Sequence, residues 1–263
     1  DLPGMADIDA SLYLLSVEVK KRFTVALSGE CADEVFGGYP WFYGTDVTRC
    51  FPWSPNVALR TSIMAPWLRE RLRPEAYVQE RLAEALAEVQ HLPGEPEEER
   101  RTRSLFYLNL TRWMPTLLDR KDRMSMAVGL EVRVPFCDHR LVEYAFNIPW
   151  QMKNVGGQRK GVLREALRGI LPESVRLRPK NPFPRTFDPT YGELVRSSLL
   201  RVVADESAPL NELIDVGFLT QLVSSTNEFD APWFGQLMRK DQLCGYLLQL
   251  NSWLTDYNVN IRV

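Results

Sequence analysis

Three carboxylates follow a short apolar run near the start of the chain. Residues 25–38 read "VALSGECADEVFGG", which places Glu30, Asp33 and Glu34 within five residues, directly after a Ser-Gly turn. Acidic groups in the first turn of a helix are favourable because they meet unpaired N–H groups and the helix dipole. One such group is enough for capping, and like charges three or four residues apart repel each other. The spacing therefore leaves two interpretations open, helix capping and a bound cation.

The residues around this turn predict a helix–strand–turn–helix unit. Residues 8–21 carry apolar side chains at three- and four-residue steps, which is typical of a helix. The run "FTVAL" at 23–27 is short, apolar and β-branched, and it predicts a strand buried on both faces. This order of elements indicates an α/β fold with a parallel sheet.

In open α/β sheets, ligands bind beyond the carboxyl ends of the strands, which here is the Ser28-Gly29 turn. Glycine lets the backbone approach a ligand closely, and the serine hydroxyl with nearby N–H groups could meet a nucleotide. Asp33 could hold a Mg²⁺ ion, which would offset the phosphate charge. The predicted strand also needs hydrogen-bonded neighbours. Because no other run has comparable strand character, we expect the rest of the sheet on sequence that precedes residue 1.

Composition limits the remaining possibilities. The 263 residues are 45% hydrophobic and 25% charged, with a net charge of −2, so nothing favours nucleic acid as a partner. No run approaches the roughly 20 apolar residues of a membrane span, and we expect no membrane partner. The four cysteines are scattered and the chain has two histidines, which argues against a zinc site. Free thiols indicate a cytoplasmic protein.

The rest of the chain is predicted to be mostly helical. Residues 75–90 form an amphipathic pattern, and residues 92–101 predict a charged, solvated loop. The last long helical pattern covers about 232–255. We therefore predict two consecutive regions, residues 1–50 as the carboxy-terminal part of an α/β nucleotide-binding core and residues 51–263 as a helical region.

Four longer stretches resemble the synthetase domain of glutamine-hydrolysing asparagine synthetases of the bacterial, class B type. They read "LSGECADEVFGGYPWFY", "LLDRKDRMSMAVGLEVRVPFCDHRLVEYAFNIPW", "GGQRKGVLREALRGILPESV" and "RPKNPFPRTFDPTY", and they occur in the order typical of that family. The resemblance implies an ATP-pyrophosphatase nucleotide domain of the adenine nucleotide alpha hydrolase-like (HUP) type. It implies transfer of AMP from ATP to the side chain of aspartate, followed by attack of glutamine-derived ammonia to give asparagine.

The resemblance also implies roles for individual residues. Ser28 and Gly29 match an ATP-contacting pair, Glu30 matches an acid that processes the aspartyl adenylate, and Asp33 matches a Mg²⁺-binding aspartate. Lys160 matches a lysine that contacts phosphates during adenylation. Two further basic residues line up with family residues near the acidic substrate, although surface salt bridges explain them equally well; they are Arg120 and Arg123. We expect a structural role for Arg133 and for Cys31, the latter as a small buried residue.

Some features of the family are absent from this sequence. No catalytic amino-terminal cysteine and no pyrophosphate loop of the type Ser-Gly-Gly-Xaa-Asp-Ser is present, nor is a second Mg²⁺-binding aspartate recognised. We therefore predict a fragment that is inactive by itself, taken from a parent enzyme that could be a homodimer. Two alternatives stay open, a β-lactam synthetase-like adenylating ligase and a noncatalytic helical interaction module.

Overall fold

The computed structural model describes residues 2–44, 49–181, 186, 188–225, 232–233 and 238–262. This part of the chain is rich in α-helix and contains a small parallel sheet, as the α/β prediction requires. The helices are α1 Ala6–Lys20, α2 Ala32–Phe36, α3 Val57–Thr61, α4 Pro66–Leu72, α5 Pro74–Ala87, α6 Glu97–Leu108, α7 Met114–Met126, α8 His139–Phe146, α9 Trp150–Lys153, α10 Gly161–Ala166, α11 Glu173–Arg176, α12 Pro189–Ala204, α13 Val216–Ser224 and α14 Lys240–Asp256. The strands are β1 Val25–Leu27 and β2 Glu131–Arg133.

The chain divides into two compact units that are interleaved along the sequence. The first consists of Asp1–Ser11, Cys50–Leu82 and Phe183–Val263, and the second of Leu12–Arg49 and Ala83–Pro182. The sequence predicts two consecutive regions instead, residues 1–50 and 51–263. The assignment of residues 1–50 to a nucleotide-binding core and of residues 51–263 to a helical region stays a prediction.

The first unit is built around an apolar cluster from α12, α13 and α14. Leu199, Leu210 and Leu219 are fully buried in this cluster, and Ile8 at the start of α1 joins them. Asp7 is also buried, where its carboxylate accepts hydrogen bonds from the N–H and hydroxyl groups of Thr186 at 2.8 and 2.6 Å. Buried polar groups need such partners, and this one is satisfied by the chain itself.

The second unit contains the parallel sheet. Val25, Ala26 and Leu27 of β1 align with Glu131, Val132 and Arg133 of β2. The two strands are separated by a long helical connection, as a parallel pair requires. The helix α2 starts five residues after β1, and its Val35 and Phe36 pack with Ala145 of α8.

The strand at 23–27 was correctly predicted in position, but its predicted burial on both faces is wrong. Phe23, Val25 and Leu27 are 60%, 40% and 75% exposed. Val25 and Leu27 lie on the same face of β1, because side chains alternate along a strand, and this face meets solvent. The neighbouring strand β2 lies downstream in "EVR", a charged triplet with no strand signal of its own.

The helix α7 follows α6 through a wide π-helical turn, Asn109–Trp113. Pro115 lies in the first turn of α7 and has no N–H group to donate to the regular series of helical hydrogen bonds. Such single π turns absorb this kind of irregularity inside long helices. The turn sets the direction in which α7 continues, and α7 carries Arg120 and its neighbours.

Three other predicted segments differ in outcome. The amphipathic pattern at 75–90 is α5, as expected. The pattern at 232–255 is helical only from Lys240, where α14 begins; residues 232, 233, 238 and 239 are not helical, and residues 234–237 lie outside the described part. The loop at 92–101 is not simply solvated, because α6 begins at Glu97 and the side chain of Glu95 is only 4% exposed. No helix in the described ranges is both long and apolar enough to cross a bilayer.

Candidate active site

The segment Ser28 to Glu34, called the acidic turn below, follows β1 and includes the first three residues of α2. The backbone N–H of Ser28 donates to the carbonyl oxygen of Arg133 at 2.9 Å, which fixes the turn to the end of β2. The Ser28 hydroxyl oxygen accepts from the N–H of Glu30 at 3.3 Å. Gly29 is exposed, and a Cβ atom added to it would meet nothing within 4 Å. The backbone beside Gly29 is therefore open to a ligand.

Glu30 is held by two cations from α7. Arg120 Nη2 lies 3.3 Å from Glu30 Oε1, and Lys121 Nζ lies 3.4 Å from Glu30 Oε2. The three side chains are 13–23% exposed, so this is a largely shielded arrangement. Charged groups interact more strongly in such surroundings than on the surface.

Asp33 is held by two lysines from a different part of the chain. Lys160 Nζ lies 3.0 Å from Asp33 Oδ1, and Lys180 Nζ lies 3.0 Å from Asp33 Oδ2. Burial by itself would raise the pKa of Asp33, but Lys180 and then Lys160 outweigh burial and hold it below its ordinary value. The carboxylate is therefore charged and shared between two ammonium groups.

The segment that carries the two lysines is tied together by Arg164 of α10. Lys160 is the residue before α10 and has a left-handed backbone, with φ 57°. The Arg164 guanidinium donates to the carbonyl oxygens of Arg176 and Arg178, the latter at 3.0 Å. Because Arg178 is two residues before Lys180, these bonds hold the start of α10 and the second lysine in one framework.

Gly38 makes room for Asp33. A Cβ atom at position 38 would overlap the Asp33 carboxyl group and approach the Asp33 Cα at 2.9 Å. The N–H of Gly38 donates to the Asp33 carbonyl oxygen at 2.8 Å, so the backbone turns tightly over the acid. A residue without a side chain is required at this close approach.

Glu34 does not join the other two acids. Its side chain is 1% exposed and accepts a hydrogen bond from the hydroxyl group of Tyr39. Burial raises the pKa of Glu34 to about 7. Glu30 precedes α2 and Glu34 is buried against Tyr39, so the three acids do not share one face of a helix.

Cys31 is a small buried residue, as predicted. It is 2% exposed and has a left-handed backbone, with φ 70°. A hydrogen bond with Cys137, followed by burial, raises the pKa of the Cys31 thiol far above its ordinary value. A thiol kept protonated in this way is a poor nucleophile.

Two other arginines proposed from the sequence are placed differently from Arg120. Arg123 pairs with Asp119 one turn earlier on α7 at 3.1 Å, and both side chains are well exposed. Its role near a substrate stays a prediction. Arg133 contributes its carbonyl oxygen to the acidic turn, and its side chain pairs with Glu131 at 2.7 Å. These contacts fit the structural role expected for Arg133.

The residues present fit Mg²⁺ only in part. Within the described ranges no group of three or more histidine, cysteine, aspartate or glutamate side chains could hold a metal ion. Mg²⁺ commonly uses one or two protein carboxylates and takes its other ligands from phosphate and water. Asp33 could be one such carboxylate if Lys160 and Lys180 paired with a phosphate instead, which would free the Asp33 oxygens for the ion.

The match to known proteins agrees with this geometry. The family model described as asparagine synthase matches residues 1–255. The chain belongs to the asparagine synthase family. It is 47% identical over 262 residues to the Bacillus subtilis (strain 168) protein named asparagine synthetase [glutamine-hydrolyzing] 3, which is 99% of this chain and 43% of that protein.

Two further relatives of the asparagine synthase family match a shorter part of the chain. Asparagine synthetase [glutamine-hydrolyzing] 1 of Bacillus subtilis (strain 168) is 30% identical over 204 residues, which covers 66% of this chain and 32% of that protein. The human asparagine synthetase [glutamine-hydrolyzing] is 36% identical over 177 residues, which covers 65% of this chain and 22% of that protein. The chain thus spans less than half the length of the curated relatives that it matches.

The sequence alone missed two of the four cations at the acidic turn, Lys121 and Lys180. Lys121 is adjacent to Arg120 in "DRKDR", where a basic pair on a helix is usually a solvated face. Lys180 follows a proline in "RPKNPF", and nothing in that spacing indicates a partner 147 residues earlier, the difference between positions 180 and 33. Only the folded chain brings it to Asp33.

Proposed function

We propose that this chain supplies part of the adenylation site of a glutamine-hydrolysing asparagine synthetase. In the proposed reaction, a carboxylate oxygen of aspartate attacks the α-phosphorus of ATP, and pyrophosphate leaves. Ammonia derived from glutamine then attacks the carbonyl carbon, and AMP leaves with the bonding electrons. One observation carries the proposal: Glu30 and Asp33, three residues apart, are each bracketed by two cations from distant segments.

The Ser28-Gly29 turn is proposed to meet the nucleotide. It lies at the carboxyl end of β1, where ligands bind in α/β sheets, and a strand, a glycine turn and a helix follow each other there as in a nucleotide domain of the HUP type. The N–H of Ser28 is occupied by Arg133, which leaves the hydroxyl group of Ser28 and the open backbone at Gly29 as the contacting groups.

Lys160 and Lys180 are proposed to bind the phosphates. In the described arrangement both ammonium groups are neutralised by Asp33, and a triphosphate would offer them a more highly charged partner. Fixed cations at the departing pyrophosphate stabilise the charge that develops there. Once the two lysines have turned to the phosphates, the Asp33 carboxylate would be able to hold Mg²⁺, and a bound Mg²⁺ offsets phosphate charge.

Glu30 is proposed to act at the amide-forming step. As ammonia attacks, the nitrogen must lose a proton, and an ionised carboxylate within reach can accept it. Arg120 and Lys121 keep Glu30 in position, and Arg120 also offers a cation to the carboxylate groups of aspartate.

The test uses the complete gene-encoded protein with ATP, aspartate and ammonia. Asparagine is scored by mass and pyrophosphate by a coupled assay, which also distinguishes asparagine synthesis from ring closure in a β-lactam synthetase-like reaction. Glu30→Gln should lower asparagine formation by roughly 100-fold or more. The matched control is Glu18→Gln, the same change in an exposed surface pair with Lys21, and it should leave the rate unchanged. Unchanged ammonia-dependent activity in Glu30→Gln would refute the assignment.

A further inference from the structure

A separate cavity of about 310 Å³ lies in the second unit, between residues 92–96, α6 and the segment from 146 to 153. Its apolar walls include Phe106, Phe146 and Trp150, and its polar groups include Glu99 and Lys153. None of the residues proposed above for adenylation lines it. We call it the Lys153 cavity.

Lys153 is an unusual wall residue because its charge is buried without an acceptor. The residue is 1% exposed, and its Nζ atom makes no hydrogen bond within the described structure. The ammonium instead lies 3.5 Å from the centre of the Phe106 ring. A cation–π contact offsets part of the loss of water, but an ammonium has three N–H groups to satisfy.

The acids that line the cavity are already engaged. Glu95 pairs with Arg103 at 2.6 Å in a well-shielded ion pair. Both carboxylate oxygens of Glu99 accept from the backbone N–H of Trp150, at 3.1 and 3.3 Å. The wall therefore combines apolar surface with a buried, unsatisfied donor, and each of these two acids already has a hydrogen-bond partner of its own.

We propose that the Lys153 cavity binds a small organic carboxylate, with Lys153 as its counter-ion and the aromatic walls around its apolar body. Pockets for small molecules are lined mostly by apolar and aromatic side chains, with a few placed polar groups that set orientation. A carboxylate is favoured over a neutral acceptor because it supplies the charge as well as the hydrogen bonds that the buried ammonium lacks.

The electrostatics of the cavity support this choice. Burial, and then Arg103, lower the pKa of Lys153 to about 7, while Glu99 acts in the opposite direction. Glu95 is already neutralised by Arg103, and His91 lies at the outer side of Glu95, 3.4 Å away. A bound anion would favour the ammonium form, so binding near pH 8 should be accompanied by proton uptake.

The experiment measures binding of benzoate and of benzamide to the complete gene-encoded protein by titration calorimetry or NMR. The two probes have the same shape and differ in charge. Benzoate should bind in the millimolar range or tighter and at least about 10-fold more tightly than benzamide. Equal affinities, or no benzoate binding at about 50 mM, would overturn the proposal and leave a cavity filled by water.

Two variants locate the effect. Lys153→Met keeps the length and apolar stem of the side chain, and it should abolish the preference for benzoate. Glu99→Gln keeps an acceptor for the Trp150 N–H but removes a negative charge. At about pH 5.5, where Lys153 stays an ammonium in either protein, benzoate should therefore bind severalfold more tightly. Its control is Glu98→Gln on the same helix, which is exposed and outside the cavity. If Lys153→Met does not fold, equal benzoate affinity in Glu99→Gln and Glu98→Gln would overturn the proposal.

Discussion

Lys180 and Lys153 of the second unit are both shielded from solvent and both lie over an aromatic ring, but only Lys180 has a carboxylate partner. Lys180 lies 3.9 Å from the ring centre of Tyr39 and Lys153 lies 3.5 Å from that of Phe106. Burial lowers the pKa of both amines. Lys180, however, has the carboxylate of Asp33 at 3.0 Å, whereas Lys153 makes no hydrogen bond within the described residues.

This difference indicates what each region can receive. At the acidic turn the chain supplies its own anion, so an incoming phosphate competes with Asp33 for ammonium groups that are already in place. In the Lys153 cavity the chain supplies a cation without a hydrogen-bonded anion, while the carboxylates of Glu95 and Glu99 are bonded to other groups. We therefore expect a ligand to displace Asp33 from its lysines at the acidic turn, and to bind Lys153 without displacing a carboxylate in the cavity.

The largest expected effect concerns Lys180, which sequence reasoning missed. Lys180→Ala in the gene-encoded protein should lower kcat for ammonia-dependent asparagine formation by roughly 100-fold, because a cation at the departing pyrophosphate acts mainly in the transition state. The matched control is Lys21→Ala, an exposed lysine. Activity within about threefold of the wild type would show that Lys180 serves only to pair Asp33.

The second prediction concerns the stability of the paired region. Asp33→Asn leaves Lys160 and the well-buried Lys180 without their shared carboxylate, and it should lower the free energy of unfolding by about 1–3 kcal/mol. The same change at the exposed Asp119, which pairs with Arg123, should lower it by less than about 0.5 kcal/mol. Urea denaturation of the two variants measures the difference, and equal effects would contradict the buried pairing.

The third prediction uses pH to test the unpaired lysine. Because the pKa of Lys153 falls to about 7 in the folded chain, the unfolded chain binds more protons between about pH 7 and 10. The stability of the wild type relative to Lys153→Met should therefore rise with pH, by about 1 kcal/mol per pH unit. Urea denaturation at pH 7, 8 and 9 checks this slope. Parallel curves for the two proteins would mean that Lys153 has an acceptor in solution.

The smallest expected effect concerns the open space beside the acidic turn. Gly29→Ala should change the free energy of unfolding by less than about 0.5 kcal/mol, since an added Cβ atom meets nothing within 4 Å. It should nevertheless weaken ATP binding about 10-fold if the backbone at Gly29 touches the nucleotide. Gly38→Ala provides the contrast, because its Cβ atom collides with Asp33 and should destabilise the fold itself. Normal ATP affinity in Gly29→Ala would place the nucleotide elsewhere.

The local elements of the site were predictable from the sequence, and the long-range pairs were not. The β1 strand, the Ser-Gly turn and the two carboxylates are contiguous, and their types and spacing indicate an anion-handling turn after a strand. The family motifs also led to Lys160 and Arg120. Pairing with β2 was missed because "EVR" alternates charges around one valine, which gives no signal of a strand.

Burial was the least predictable property. Glu34 and Glu95 both appear in acidic runs that suggest solvent, yet each side chain is buried against a partner, Tyr39 in one case and Arg103 in the other. Conversely, Val25 and Leu27 of the apolar strand are exposed. Local pattern sets which face a residue occupies, but tertiary neighbours decide whether that face meets protein or water.

The separation of the paired charges along the chain has a consequence for synthesis on the ribosome. Glu30 is made 90 residues before Arg120, and Asp33 waits still longer for Lys160 and Lys180. At about 5–20 residues per second, the nascent acidic segment waits roughly 5–20 s for Arg120 and about 7–30 s for Lys180. A helix as short as α2 has little stability of its own. We therefore expect β1 and α2 to remain unfolded until Lys180 has left the exit tunnel, which makes this element a late step in folding.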